Sequence, residues 1–217
     1  MKNEVIKAIE KEKIVAILRG IPSEKLLNTV QALYDGGIRL LEVTYSADGH
    51  VSDEETAENI ARVVKEFEGK MFIGAGTVLT KKQVRLTKKA GGSFIISPDV
   101  NADVIKETVK CGLVSIPGAL TPSEITAAHR FGADFVKLFP VTSLGVGYVK
   151  AITAPLSHIK LLVVGGVLED NMLEYLDIGV CGFGVSTNIT DKKMIAEGDW
   201  AGITALAKKY TEVLANA

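Results

Sequence analysis

The stretch Leu113-Val-Ser-Ile-Pro-Gly118-Ala-Leu-Thr121-Pro-Ser-Glu124-Ile-Thr-Ala-Ala-His-Arg-Phe131-Gly132-Ala-Asp134-Phe-Val-Lys-Leu-Phe-Pro140-Val141 contains one complete strand–helix–strand unit. Leu113–Gly118 and Asp134–Val141 are short, mostly apolar runs of strand length. Between them, Pro122–Phe131 carries the polar/apolar period of a helix. Its start is specified residue by residue. Thr121 is a cap, Pro122 suits the first turn, and Glu124 at the third helical position closes a capping box. Gly132 follows the last turn, where glycine accepts a left-handed backbone cheaply. Runs that are apolar on both faces fit a parallel sheet covered by helices.

The same unit recurs along the whole chain. The candidate strands are Ile14–Gly20, Arg39–Tyr45, Phe72–Val78, Ser93–Asp99, Leu113–Gly118, Asp134–Val141, Lys160–Val167 and Cys181–Thr187. The candidate helices are Ser23–Asp35, Asp53–Phe67, Lys81–Ala90, Ala102–Cys111, Pro122–Phe131, Tyr148–Ala154, Glu169–Asp177 and Trp200–Asn216. Gly36-Gly37, Gly91-Gly92, Gly112 and Gly179 stand, like Gly132, where a helix hands over to the next strand. Eight units at roughly 25 residues each predict an α/β fold, a single (β/α)8 TIM barrel. An extra N-terminal helix, Lys2–Glu12, fits as a cover for the bottom of the barrel. No linker or low-complexity segment interrupts the pattern, so residues 1–217 are expected to form a single domain. Periodicity alone leaves an open doubly wound α/β sheet as the alternative.

Composition narrows the partners. A chain of 217 residues is near the lower end for this barrel, and 47% apolar with 24% charged residues is ordinary for a globular protein. A net charge of −1 gives no basic surplus for nucleic acid and no polybasic tail for a membrane. No apolar run approaches the ~18 residues of a membrane span. Met1–Lys13 is charged throughout and does not read as a signal peptide. Cys111 and Cys181 have no ligand or CxxC spacing, read as small core residues, and suit a reducing cytoplasm.

Two charges are out of place. Lys137 shares strand parity with Phe135 and Phe139, so it lies either in the barrel lumen between two aromatics or outside under a helix. Both sites are costly for an ammonium ion unless something offsets the burial. One reading is a lysine that snorkels or pairs structurally. The other is a nucleophilic amine, because desolvation favours the neutral form that attacks a carbonyl. Glu42 sits equally awkwardly in Leu40-Leu-Glu-Val-Thr44 and could meet Lys137 in the lumen. Such a pair is either a structural ion pair or a nucleophile with its general acid/base.

Further signals fall at the carboxyl ends of strands, where these barrels carry their sites. Arg19 and Thr77 could hold a substrate carboxylate, the arginine by paired hydrogen bonds. Val164-Gly-Gly-Val167 and Gly184-Val-Ser-Thr187 end the last two strands, the usual place for a phosphate grip. His50 falls in a loop and His129 in mid-helix, and neither these nor His158 sits in a metal-ligand pattern.

Taken in order, Ile14-Val-Ala-Ile-Leu-Arg-Gly20, Leu41-Glu-Val-Thr44, Ile73-Gly-Ala-Gly-Thr-Val78, Ile96-Ser-Pro98, Ile116-Pro-Gly118, Val136-Lys-Leu-Phe-Pro140 and Val164-Gly-Gly-Val167 closely resemble the KDPG/KHG aldolase family. Its members cleave 2-keto-3-deoxy-6-phosphogluconate, its galactonate epimer, or 4-hydroxy-2-oxoglutarate to pyruvate and an aldehyde. The resemblance implies that Lys137 is the Schiff-base lysine and Glu42 the general acid/base. It implies that Arg19 and Thr77 contact the pyruvyl end, and that Pro117 and Phe139 pack around the Schiff base. Gly165, Gly166 and Ser186 match the phosphate grip. It further implies a small-molecule 2-keto acid substrate, no metal, no other cofactor, and a homotrimer.

The chain departs from the gluconate-type pattern. Ser46 stands where those members usually carry arginine, and Val164 stands where threonine is common. The galactonate-type members are more similar at both places. Val185 replaces a glycine before the serine and is expected to crowd the phosphate. These differences leave the C6 phosphate and the C4 stereochemistry open, including a 4-hydroxy-2-oxoglutarate or unphosphorylated keto-deoxy acid substrate. Two further readings are a phosphate-binding isomerase or epimerase with Lys137 only electrostatic, and a non-catalytic sugar-acid-binding barrel.

Overall fold

The computed structural model describes residues 1–215. The first half of the described chain runs α1 (Lys2–Glu12), β1 (Ile14–Leu18), α2 (Ser23–Asp35), β2 (Leu40–Thr44), α3 (Asp53–Glu66), β3 (Phe72–Gly76), α4 (Lys81–Lys89), β4 (Phe94–Ile96) and α5 (Ala102–Lys110). The second half runs β5 (Val114–Ile116), β6 (Gly118–Ala119), α6 (Pro122–Phe131), β7 (Val136–Leu138), α7 (Gly145–Thr153), β8 (Leu161–Val164), α8 (Met172–Asp177), β9 (Gly182–Val185), α9 (Lys192–Glu197) and α10 (Trp200–Ala215). Asn216, expected in the last helix, lies outside the described residues.

The strands pair in parallel in the order β5-β4-β3-β2-β1-β9-β8-β7-β6. Because β9 returns to lie beside β1, the order describes a ring rather than an open sheet. The expected (β/α)8 barrel is therefore formed, and the doubly wound alternative is not. The fifth barrel position is one expected strand, Leu113–Gly118, broken into β5 and β6 at Pro117. Proline has no N–H to extend a ladder, and the Pro117 carbonyl instead accepts from Lys137 N at 2.9 Å. Below the break, Asp134 N and Phe135 N donate to Ser115 O at 3.0 and 3.2 Å and close the ring.

The local signals at α6 are realised. Thr121 and Glu124 form the reciprocal capping box, and Gly132 takes φ 103° at the far end. Other boundaries differ. The expected helix Glu169–Asp177 starts at Met172, because Asn171 ties the preceding turn down. Its side chain accepts from Leu168 N and donates to Gly166 O. The expected helix Tyr148–Ala154 starts earlier, at Gly145. The helix α9 was not anticipated; Asp191 caps it by accepting from Met194 N.

Strand parity splits the core in two. Outward residues such as Ala16, Leu41, Val136, Val163 and Phe183 pack under the helices. Inward residues Val15, Leu40, Phe94, Val114, Phe135 and Leu162 fill the lower lumen, and Val5 and Ile9 of α1 join them from below. The amphipathic α1 thus closes the amino end of the barrel as expected, each of its two buried side chains contributing about 1.5–3 kcal/mol of burial. With the bottom filled, the lumen is open only at the carboxyl ends of the strands. Among the described residues no helix is long and apolar enough to cross a membrane.

Candidate active site

Lys137 and Glu42 both point inward, one layer above the apolar plug. Lys137 follows Phe135 by two residues on β7, where its register partners are Gly118 and Leu162. Glu42 lies between Ile17 and Gly74 in the ladders of β2. Lys137 is 5% and Glu42 1% exposed. The lysine Nζ stands 4.5 Å from the centroid of the Phe139 ring.

The two charged groups do not pair. Both Glu42 carboxyl oxygens are buried and without a hydrogen-bond partner. This disfavours the structural ion pair, because such pairs hold only with good mutual geometry and satisfied lone pairs. Burial moves both groups toward neutrality. It pushes the Glu42 carboxyl above its ordinary value, with Lys137 and then Arg19 pulling it back in part. It lowers the Lys137 amine, which Glu42 opposes and Arg19 reinforces. An amine shifted toward its neutral form and a carboxyl shifted toward its protonated form are what carbonyl addition and dehydration require.

Gly76, at the end of β3, makes the seat for Glu42. A β-carbon on Gly76 would overlap Glu42 Oε1. From the sequence, Gly76 offered only open backbone; its role as the space for a carboxyl emerges from the ring of strands. Gly76→Ala is expected to displace Glu42, destabilise the fold by about 1–3 kcal/mol as an overpacked core does, and lower kcat by about 10²-fold. Thermal melts and steady-state rates check this. Wild-type kcat in Gly76→Ala would show that the carboxyl is not needed at that spot.

Thr77 follows immediately and adopts φ 55°. A β-branched residue in the left-handed region is a genuine outlier, costing about 1–3 kcal/mol and persisting only where its surroundings over-determine it. Arg19, exposed just beyond β1, donates from Nη1 to Thr77 Oγ1 at 3.5 Å. The threonine hydroxyl accepts from arginine, so its own proton is available to a second acceptor. Two donors thus converge on one point of the rim.

A cavity of ≈430 Å³ connects these groups. Arg19, Thr77, Lys137, Phe139, Gly165, Gly166 and Ser186 all border it. Glu42 and Pro117, the remaining expected site residues, are buried below and do not line it. Gly165 and Gly166 take φ 88° and 74°, a backbone that favours glycine, and both border the cavity. Ser186 donates its hydroxyl to Ile17 O at 3.3 Å, while its carbonyl accepts from Ile189 N and Thr190 N in a turn after β9. Pro98, Val164 and Asn188 also border the cavity. Pro98 belongs to the Ile96-Ser-Pro98 motif but was assigned no site role from the sequence, and Asn188 carried no signal of its own.

Val185 has outward parity and its side chain belongs to the apolar layer beneath the helices, while the residue also borders the cavity beside Ser186. Ser46 lines a second cavity of ≈490 Å³ between the loops after β1 and β2. Its hydroxyl donates to Asp48 Oδ1. That bond and one from His50 N hold the Asp48 carboxyl below its usual value.

Known proteins are similar to this chain along nearly its whole length. The family model described as KDPG and KHG aldolase matches residues 5–206. The 2-dehydro-3-deoxy-6-phosphogalactonate aldolase of Escherichia coli K12 is 31% identical over 202 residues, covering 93% of this chain and 96% of that one. A probable 2-dehydro-3-deoxy-6-phosphogalactonate aldolase of Rhizobium meliloti is 36% identical over 184 residues, 84% of each chain. The KDPG aldolase of Legionella pneumophila, whose crystal structure holds pyruvate captured at low pH as a covalent carbinolamine intermediate, superposes with a TM-score of 0.83 at 27% identity, over 96% of this chain and 97% of that one. With the barrel, the lumenal lysine and the matched length in agreement, the chain belongs to the KDPG and KHG aldolase family.

Proposed function

We propose that this aldolase works through a Schiff base on Lys137 and cleaves a 2-keto-3-deoxy-6-phospho sugar acid of the galactonate type to pyruvate and glyceraldehyde 3-phosphate. The observation that carries the reading is the Lys137 amine, buried at the floor of the cavity and with no ion pair to Glu42. The capture of pyruvate as a carbinolamine in a relative supports it.

The steps follow from the groups present. Arg19 and Thr77 hold the carboxylate. The neutral Lys137 amine adds to the C2 carbonyl, forming the carbinolamine. Protonated Glu42, directly or through a water, gives its proton to the departing hydroxyl, and water leaves an iminium. The resulting carboxylate takes the C4 hydroxyl proton. The C3–C4 bond breaks, its electron pair flows into the iminium, and the aldehyde leaves an enamine. Glu42 returns the proton to C3, water adds to the iminium, and collapse frees pyruvate and the amine. The iminium is itself the electron sink, so the cleavage step calls for no metal or further cofactor. Pro117 and Phe139 exclude water from the linkage.

The distal phosphate is assigned to Gly165, Gly166 and Ser186. Val164 in place of threonine and Ser46 in place of arginine support the galactonate epimer, as do the names of the two relatives above. The family match over residues 5–206 supports reading residues 1–217 as one catalytic domain. A homotrimer and a cytoplasmic location, where Cys111 and Cys181 stay unpaired, complete the proposal.

Borohydride reduction in the presence of pyruvate is expected to trap an adduct on Lys137, read by peptide mass. Absence of the adduct overturns the Schiff base. A panel of keto-deoxy acids, phosphorylated and not, assayed for pyruvate release, should rank the phosphorylated galactonate epimer first.

A further inference from the structure

The strained Thr77 is gripped from its carboxyl side by residues to which the mechanism above gives no role. Val78 N donates to Ile96 O at 3.2 Å, and Val78 O accepts from the buried Ser97 hydroxyl at 2.8 Å. The next two amides, Leu79 N and Thr80 N, both donate to the Gln83 side-chain oxygen, at 2.8 and 3.2 Å. Gln83 is itself fixed. Its Nε2 donates to Asp53 Oδ1 at 2.9 Å, its backbone N donates to Thr80 Oγ1, and its carbonyl accepts from Tyr45 and Thr87 hydroxyls. On the amino side, Gly76 O accepts from Tyr45 N at 2.9 Å. Thr77, at φ 55°, thus links two segments that are each tied by hydrogen bonds to neighbouring elements.

We propose that Ser97 and Gln83 are positioning residues for substrate: by pinning Val78–Thr80 they hold Thr77 in the left-handed conformation that brings its hydroxyl to Arg19 at the keto-acid carboxylate. A capping glutamine needs only the bonds to its own helix start. Gln83 reaches beyond its own helix, donating to Asp53 of α3, and Ser97 spends a buried hydroxyl on a loop carbonyl. Both are arranged around the outlier. The strain persists because the surroundings over-determine it. What it achieves is a fixed hydroxyl, so less freedom is lost when the carboxylate arrives. The proposal rests on the reading that Thr77 binds the carboxylate.

The test is a double-mutant cycle read as the pyruvate concentration for half-maximal borohydride trapping. Thr77→Val keeps the branched shape and removes the hydroxyl; it is expected to raise that concentration about tenfold, as loss of a bond to a charged group does. No change in Thr77→Val overturns the carboxylate reading itself, and the positioning proposal with it. With Thr77→Val effective, Ser97→Ala and Gln83→Met are each expected to raise the concentration about three- to tenfold in the native background. In the Thr77→Val background each should add less than about twofold, because the hydroxyl they position is gone. Additive effects, or no effect of either variant alone, overturn the proposal. In steady state, KM rises more than kcat falls. Ser97→Cys keeps the volume with a weaker donor; if Ser97→Ala does not fold, it must shift trapping in the same direction by a smaller factor, and an unchanged value refutes the role of Ser97.

Discussion

Lys137→Ala is expected to abolish turnover, with kcat falling by on the order of 10⁴-fold or more, while the protein stays folded. Among the described residues lining the cavity Lys137 carries the only amine, and the hydroxyls of Thr77, Ser186 and Thr187 cannot form an iminium in its place. The fold survives because the Lys137 side chain has no ion pair to lose. Its burial is a cost that function retains. A lowered lysine pKa means that the folded state holds the proton less tightly than the unfolded chain. Stability contributed by this group is therefore present above the unfolded pKa and is withdrawn as pH falls through the folded one. Lys137→Met, similar in volume and uncharged, should melt at or above the wild-type temperature, by a margin that widens toward acid. The rate of the wild-type enzyme should rise with pH as the amine loses its proton, and this rise should fall below the ordinary lysine range of about 10.4. Turnover retained in Lys137→Ala, with circular dichroism showing the barrel intact, would remove Lys137 from the mechanism.

Glu42→Gln is expected to lower kcat by about 10²–10⁴-fold while leaving Lys137 able to form some reduced adduct with pyruvate. The amide matches the carboxyl in shape and fits the seat at Gly76, but it cannot exchange the proton that the dehydration, cleavage and enamine steps share. The stability sign is opposite to that of the lysine. A raised carboxyl pKa means the folded state prefers the protonated form. That contribution is complete below the unfolded value of about 4.3 and is lost as pH rises through the folded value. Glu42→Gln should therefore gain in melting temperature relative to wild type as pH increases. A Glu42→Gln enzyme with undiminished kcat would assign the proton transfers elsewhere.

Much of this site was readable along the chain, and the reason is local geometry. Strand side chains alternate with period two, so Phe135, Lys137 and Phe139 must share a face whatever the rest of the fold does. The helix signals at Thr121, Pro122, Glu124 and Gly132 act within a few residues of themselves. The motifs at Arg19, Thr77 and Gly165-Gly166 mark the carboxyl ends of strands, which the barrel gathers at one rim. The sequence by itself thus determined the strand–helix order, the shared face of the lysine and the identity of the rim.

Only the tertiary structure decided which face was the lumen, because inside and outside exist only once β9 pairs with β1. Closure placed the Val185 side chain in the apolar layer under the helices. It also brought Glu42 against the empty side of Gly76 and left both carboxyl oxygens without a partner, so that burial rather than an ion pair governs the proton balance. The left-handed backbone of Thr77 likewise depends on Ser97 and Gln83, twenty and six residues further along the chain. The Gln83 contacts belong to the capping box that starts α4, whereas the Ser97 contact joins the ends of the neighbouring strands β3 and β4 and exists only once the two strands pair.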